Sequence, residues 1–283
     1  MHKNNSRRHN MSSKEPIGVF DSGVGGLTVV KEIMNQIPGE SIIYFGDTAR
    51  VPYGVKSKET VITYTRQIVR FLMRMGVKMI VVACNTATAF ALETVNKEFN
   101  IPMVGVVKPG AKVAAKATKN GRIGVIATEG TIRSRIYNEY LSKTNPQVEV
   151  FGKACPLFVP LVEEGLIDDP VTKEMARRYI GELLEKGIDT LVLGCTHYPL
   201  LRNTIRQVVG DQVKLVNPAY ETAKALKEVL LTSGLENDNT IKTDHKFYVS
   251  DGADKFKQFA NSILPCEVVE TKDINIENLY KTI

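Results

Sequence analysis

Two of the four cysteines in this 283-residue chain stand where reactive groups are commonly placed. Cys84 closes the apolar run Val81-Val82-Ala83 and is followed by Asn85-Thr86, while Cys195 closes Leu191-Val192-Leu193-Gly194 and is followed by Thr196-His197. Free cysteine usually acts as a small buried hydrophobe. That reading suits Cys155, ahead of Pro156, and Cys266, between Pro265 and Glu267, since neither has a partner motif. For Cys84 and Cys195 the polar neighbours argue for reactivity, because helix-start amides and a nearby imidazole lower a thiol's pKa toward neutrality.

A pair of thiols supports three kinds of chemistry. A redox pair lacks its usual Cys-x-x-Cys signature here, and a zinc site built on Cys84, Cys195 and His197 would have three ligands without paired spacing. The third is proton transfer at a carbon acid. Removing a hydrogen from one face of a carbon and returning one to the other demands two acid/base groups that flank it. Asp21 opens Asp21-Ser22-Gly23-Val24-Gly25-Gly26-Leu27-Thr28 at the end of an apolar run. It reads either as a helix cap or as a carboxylate that orients a thiol or a substrate ammonium. The glycines do not make a dinucleotide loop, because Thr28 occupies the place of the third glycine in Gly-x-Gly-x-x-Gly. His197, two residues past Cys195, is structural or activates that thiol.

Short β-branched runs alternate with amphipathic stretches. Ile17–Phe20, Ser41–Phe45, Met79–Ala83, Met103–Val106, Ile123–Ala127, Val148–Phe151, Leu191–Gly194 and Lys214–Val216 read as buried strands. Lys58–Met75, with Ile62, Ile68, Val69 and Leu72 on one face, and Thr172–Leu184, with Met175, Tyr179, Ile180 and Leu183, read as helices. Strand and helix in alternation predict an α/β fold of mostly parallel sheets. An internal echo divides it. Ile17-Gly18-Val19 recurs as Ile123-Gly124-Val125, and Gly18 precedes Cys84 by 66 residues where Gly124 precedes Cys195 by 71. The expectation is two pseudo-symmetric α/β domains, residues 15–108 with 218–283 and residues 109–217, with the active site in the cleft between them. Both cysteines then lie at the carboxyl ends of parallel strands, where open α/β sheets form their ligand crevice. The crossings are expected near Lys108-Pro109-Gly110 and Asn217-Pro218, and strands at Phe247–Ser250 and Cys266–Glu270 complete the first domain.

Composition narrows the partners. Hydrophobic residues make up 43% and charged residues 24%, an ordinary globular balance with no run near the roughly 20 apolar residues of a membrane span. Four of the six net positive charges sit on Lys3, Arg7, Arg8 and Lys14, which leaves +2 for the body. A body so near neutrality lacks the basic stripe of a nucleic-acid binder. Residues 1–14 read as a disordered tail with no apolar core of a secretory signal. The cysteines are therefore read as reduced thiols and the chain as cytoplasmic.

From Pro16 onward the sequence resembles the glutamate racemases. The resemblance rests on Gly18-Val19-Phe20-Asp21-Ser22-Gly23-Val24-Gly25-Gly26, on Tyr44-Phe45-Gly46-Asp47-Thr48-Ala49-Arg50-Val51-Pro52-Tyr53-Gly54, on Ala83-Cys84-Asn85-Thr86-Ala87 and on Gly194-Cys195-Thr196-His197-Tyr198-Pro199. It implies an enzyme that interconverts L- and D-glutamate for peptidoglycan synthesis with no pyridoxal cofactor and no metal, and a homodimer. It further implies Cys84 and Cys195 as the acid/base pair, Asp21 as the aid to Cys84, and His197 backed by Glu163 as the aid to Cys195. Substrate contacts implied are Asp21, Ser22, Pro52, Tyr53, Gly54, Asn85, Thr86, Thr128, Thr196 and His197. Ser22, Asn85, Thr86 and Thr196 would form a neutral hydrogen-bonding cradle for the substrate carboxylates. An aspartate or other amino-acid racemase shares the two-thiol logic, and a non-catalytic amino-acid-binding protein would keep the same crevice.

Overall fold

The computed structural model describes residues 12–237 and 243–277. Among the described residues ten strands form two sheets. The first takes β1 (Ile17–Asp21), β2 (Ile42–Gly46), β3 (Met79–Val82), β4 (Met103–Gly105), β9 (Lys246–Val249) and β10 (Thr271–Asp273) in the order β10-β9-β2-β1-β3-β4. The second takes β5 (Arg122–Ala127), β6 (Glu149–Ala154), β7 (Thr190–Gly194) and β8 (Lys214–Val216) in the order β6-β5-β7-β8. Every pairing is parallel. The order β2-β1-β3-β4 thus recurs as β6-β5-β7-β8, and the two Ile-Gly-Val runs occupy the equivalent strands β1 and β5.

The period-two alternation of the strands sorts their side chains into layers. Ile17, Val19, Met79 and Val81 of the first sheet share one core with Ile123, Val125 and Val192 of the second. Phe20, Ile80 and Val82 point the other way, onto Ile68, Val69 and Leu72 of the helix Lys58–Arg74. Ile126, Leu191 and Leu193 do the same in the second sheet, onto Ala176, Ile180 and Leu183 of the helix Pro170–Glu185. Both helices are capped by their own sequence: Ser57 Oγ accepts from Thr60 N, and Asp169 accepts from Val171 N ahead of Pro170.

The crossings between the sheets are helical. Lys108, Pro109 and Gly110 lie in the first turn of the helix Val107–Ala117, where a proline's missing N–H removes no intrahelical bond. Asn217 caps the returning helix Pro218–Ser233, its Oδ1 accepting from Ala219 N at 3.0 Å. A Cβ on Gly110 would lie 3.0 Å from the Pro218 ring, so the two crossings abut.

Two expectations are corrected. The last strand is Thr271–Asp273, not Cys266–Glu270: Val268 N donates to Asn261 Oδ1 at 2.7 Å rather than to a ladder, and Val269 is exposed. Of the expected tail, residues 1–11 lie outside the described residues, and residues 12–14 are not free. Glu15 N bonds Ser12 O, and Ser13 O accepts from Lys78 Nζ. Lys78 Nζ also meets Glu40 at 2.6 Å, an ion pair with both side chains wholly buried. No helix among the described residues is long and apolar enough to cross a membrane.

Candidate active site

The carboxyl ends of β1 and β3 supply one half of the site. Asp21 ends β1 fully buried, and its Oδ2 accepts from the amides of Gly23 at 3.2 Å and Gly26 at 3.0 Å. Cys84, just past β3, caps the short helix Asn85–Phe90, its Sγ accepting from Ala87 N at 3.4 Å and donating to Ser22 Oγ at 3.6 Å. From β2, a turn carries Pro52, Tyr53 and Gly54. It is braced by Asp47, which accepts from Arg50 Nε at 2.8 Å, from Ser250 Oγ at 2.9 Å and from the Tyr53 hydroxyl.

The second sheet supplies the other half in the equivalent place. Cys195 follows β7, and its Sγ lies 3.9 Å from Nδ1 of His197, whose Nε2 lies 3.0 Å from Glu163 Oε1. Cys195, His197 and Glu163 therefore form a thiol–imidazole–carboxylate relay. Thr128 caps the helix Glu129–Ser134 at the end of β5.

Glycines let the halves meet. A Cβ on Gly25 would lie 2.4 Å from His197 Nδ1 and 2.4 Å from Thr196 Oγ1, and one on Gly54 would lie 2.8 Å from Thr128 Cβ. The glycine-rich loop after β1 is thus shaped for close approach by the opposite half. Hydrogen bonds cross the same seam: Thr28 Oγ1 donates to Thr196 O at 2.9 Å, Thr196 Oγ1 to Asp21 Oδ1 at 3.4 Å, and the Thr86 and Thr128 hydroxyls sit 2.8 Å apart. The space between Asn85, Cys195 and Thr196 is a crevice too tight for a water-sized sphere. A larger cavity of about 440 Å³ lies beside Glu163, walled by Val51, Lys255 and Phe259, and reaches neither sulfur.

Electrostatics separates the two thiols. Burial pushes Cys84 up to about 12, with the Asp21 carboxylate adding to the rise and the Ala87 amide and Ser22 opposing it. The expected acidification of this thiol is therefore overturned, because one amide and one hydroxyl do not replace the lost water. The charge of Cys195 also raises Cys84, so the sulfurs feel one another across the seam. At His197, burial alone would lower the pKa, but the hydrogen bonds with Cys195 and Glu163 and the charges of Cys195 and Asp21 outweigh it and push it up to about 10. A cation thus faces Cys195. Burial raises Asp21 as well, against the pull of His197 and its amide donors, while the hydrogen bond from His197 lowers Glu163.

The structure brings together Asp21, Ser22, Tyr53, Gly54, Cys84, Asn85, Thr86, Thr128, Cys195, Thr196 and His197, with Glu163 behind them. Pro52 is the one predicted contact that is exposed. Glu163 rather than Glu164 meets the imidazole; Glu164 is exposed. Cys266 stays apart from the site, packed on Met34, while Cys155 lies buried in the same core cluster as Cys195; burial raises both Cys155 and Cys266. No group of three His, Cys, Asp or Glu side chains among the described residues is placed to hold a metal ion. Sequence reasoning chose Thr128 over Thr131, whose hydroxyl lies 3.2 Å from that of Thr86, and missed Tyr137, whose hydroxyl bonds Asn85. The only local signal was the capping spacing Thr128-x-x-Thr131; nothing near Tyr137 marked it.

Comparison with known proteins gives a consistent set of likenesses. Residues 17–226 match the family model described as Asp/Glu/Hydantoin racemase. The glutamate racemase of Geobacter metallireducens is 51% identical over 261 residues, covering 92% of this chain and 97% of that protein. Among solved structures, a glutamate racemase isoform from Bacillus anthracis superposes with a TM-score of 0.89 at 40% identity, covering 93% of this chain and 98% of that one. The glutamate racemase of Francisella tularensis, solved in complex with D-glutamate, gives 0.87 at 37% identity, covering 94% and 99%.

Proposed function

The chain belongs to the Asp/Glu/hydantoin racemase family, and from that membership we propose that it is a glutamate racemase supplying D-glutamate for peptidoglycan synthesis. The observation that carries the reading is the pair of cysteines at equivalent strand ends, one beside Asp21 and the other beside His197 and Glu163. In this reading residues 15–108 with 218–283 and residues 109–217 act as two domains that part to admit the substrate and close over it.

The resting poise follows from the surroundings of each sulfur. Cys84, a neutral thiol, is the acid; Cys195, facing the imidazolium, is the base. Acting as the base, the Cys195 sulfur takes the α-hydrogen as a proton, the electron pair stays on the carbon and its carboxylate, and Cys84 returns a proton to the opposite face. The reverse reaction exchanges the two roles. Asp21 accepts from the substrate ammonium, and Ser22, Asn85, Thr86, Thr128 and Thr196 donate to its carboxylates, the Thr86–Thr128 contact opening in favour of substrate oxygens. Tyr53 and Gly54 contact it from the braced turn, and Pro52 serves through that turn's shape. Closure excludes water, which strengthens each of these contacts as charge develops on carbon. The enzyme works without a cofactor, in the cytoplasm, as a homodimer.

The test is incubation with L-glutamate in deuterated water with nothing else added. D-glutamate carrying α-deuterium is expected. Its absence, or a clear preference for aspartate, refutes the assignment. Cys84→Ser and Cys195→Ser should each reduce turnover in both directions by at least ~10³-fold, because general acid–base groups contribute about 10²–10⁴ each and both are needed for either enantiomer.

A further inference from the structure

Tyr137 occupies a place between the two thiol segments that neither motif reveals. It lies in the first turn of the helix Ile136–Thr144, which packs on the crossing helix Val107–Ala117, and it is 2% exposed. Its hydroxyl donates to Asn85 Oδ1 at 2.8 Å. Its ring lies against Gly194, where an added Cβ would come within 3.1 Å of Cε2. Asn85 is the residue after Cys84, and Gly194 is the residue before Cys195. One side chain therefore touches the immediate neighbours of both sulfurs, one through its hydroxyl and the other through its ring edge.

We propose that Tyr137 is a positioning residue for the racemisation, a strut that fixes the gap between the two thiol-bearing strand ends and turns the amide nitrogen of Asn85 toward the substrate. The inference rests on the two-thiol reading above. Its logic is one of donors and acceptors: with Oδ1 occupied by the phenol, the side chain of Asn85 has only its NH₂ left to offer, which matches an anionic carboxylate oxygen and repels nothing. Without the phenol the amide would turn through 180° at little cost and present an oxygen to that carboxylate. Burial and the nearby charge of Cys195 raise the phenol's pKa, so it remains a donor throughout the working range. The ring acts separately from the hydroxyl. It fills the space beside Gly194, and a shorter side chain would let that strand end collapse inward.

Two variants separate these actions. Tyr137→Phe keeps the ring and loses the donor; KM should rise about 5–10-fold and by the same factor for both enantiomers, with kcat within about 2-fold and melting temperature little changed, since one neutral hydrogen bond is at stake. Tyr137→Leu removes the spacer as well, and kcat should fall on the order of 10²-fold, the cost of an ångström of misplacement. In an Asn85→Ala background Tyr137→Phe should change KM no further, whereas a purely structural tyrosine would add its effect there. An unchanged KM in Tyr137→Phe, or full additivity in the double variant, overturns the proposal. Failure of the wild type on glutamate would instead sink the substrate assignment; the same comparison would then be run on aspartate, where the strut stands or falls by the same KM ratios.

Discussion

Adding a single methyl group at Gly25 probes the seam between the halves more directly than altering either thiol. An alanine Cβ there would lie 2.4 Å from both His197 Nδ1 and Thr196 Oγ1 and 2.6 Å from His197 Cε1. Ordinary contacts between carbon and nitrogen or oxygen need about 3.4 Å, so the segment must withdraw by about 1 Å. It has nowhere to go without loss, because Thr28 Oγ1 is bound to Thr196 O at 2.9 Å and Asp21 holds the amide of Gly26 at 3.0 Å. The backbone at Gly25 is not left-handed, so alanine brings no intrinsic strain and would by chain entropy alone stabilise the fold by about 0.4–1 kcal/mol. Overpacking should reverse that sign, to a net loss of about 1–2 kcal/mol. An ångström between the His197 relay and Asp21 should lower kcat/KM by about 10²-fold, or some 2.7 kcal/mol of activation free energy. Circular dichroism of glutamate reads the turnover in both directions, and a thermal melt reads the fold. Activity within about 3-fold of wild type, with a raised melting temperature, would show that the halves do not approach closely at Gly25 in the working enzyme.

Glu163→Gln weakens the hydrogen bond and removes the charge that help hold His197 at about 10. The alkaline limb of the kcat/KM profile should move down by about one pH unit or more, read from rates between pH 7 and 10. The sign for stability follows from the same group. Its raised folded-state pKa contributes stability that is complete below the unfolded value near 6.5 and disappears as pH rises through about 10. Wild type should therefore lose melting temperature across that window more steeply than the variant; parallel profiles would contradict the linkage. Lys78→Met leaves Glu40 charged and unpaired with both positions wholly buried. The loss should be about 3–5 kcal/mol, a fall in melting temperature on the order of 10 °C, with kcat and KM unchanged at 25 °C. Adding Glu40→Leu should restore most of it. A neutral Lys78→Met would show that the pair is not buried in solution.

The parts of this molecule set by short-range pattern were readable from residues alone. The continuous apolar runs Ile17–Phe20 and Ile123–Ala127, each opening Ile-Gly-Val, and a cysteine after each of two further apolar runs, were enough to infer two equivalent sheets with thiols at their carboxyl ends. What depended on depth or on distant partners was not. The thiol pKa of Cys84 turns on how completely water is removed around it, and no local motif carries that quantity. The glycines after Asp21 looked like failed phosphate-binding glycines because the group they accommodate, His197, is 172 residues away. Tyr137 stayed hidden for the same reason: its partners are Asn85 and Gly194, neither near it in sequence. The crossings were placed by Pro109 and Pro218 but their helical form was not legible, because Pro109 sits in a helix's first turn, where it leaves the helical pattern intact.

The interleaving of the sheets also orders events during translation. All four strands of the second sheet lie between residues 122 and 216, so that unit leaves the ribosome whole before β9 exists. The first sheet must wait, because β2 is flanked on one side by a strand that begins at Lys246. The later-encoded inner unit is thus free to finish first, and the earlier-encoded outer one holds an open edge beside β2 until the last part of the chain arrives. Long-range parallel pairing of this kind is slow, and an unpaired edge invites other chains. Nascent copies of this protein should be most prone to aggregate in the interval between completing β8 and seating β9.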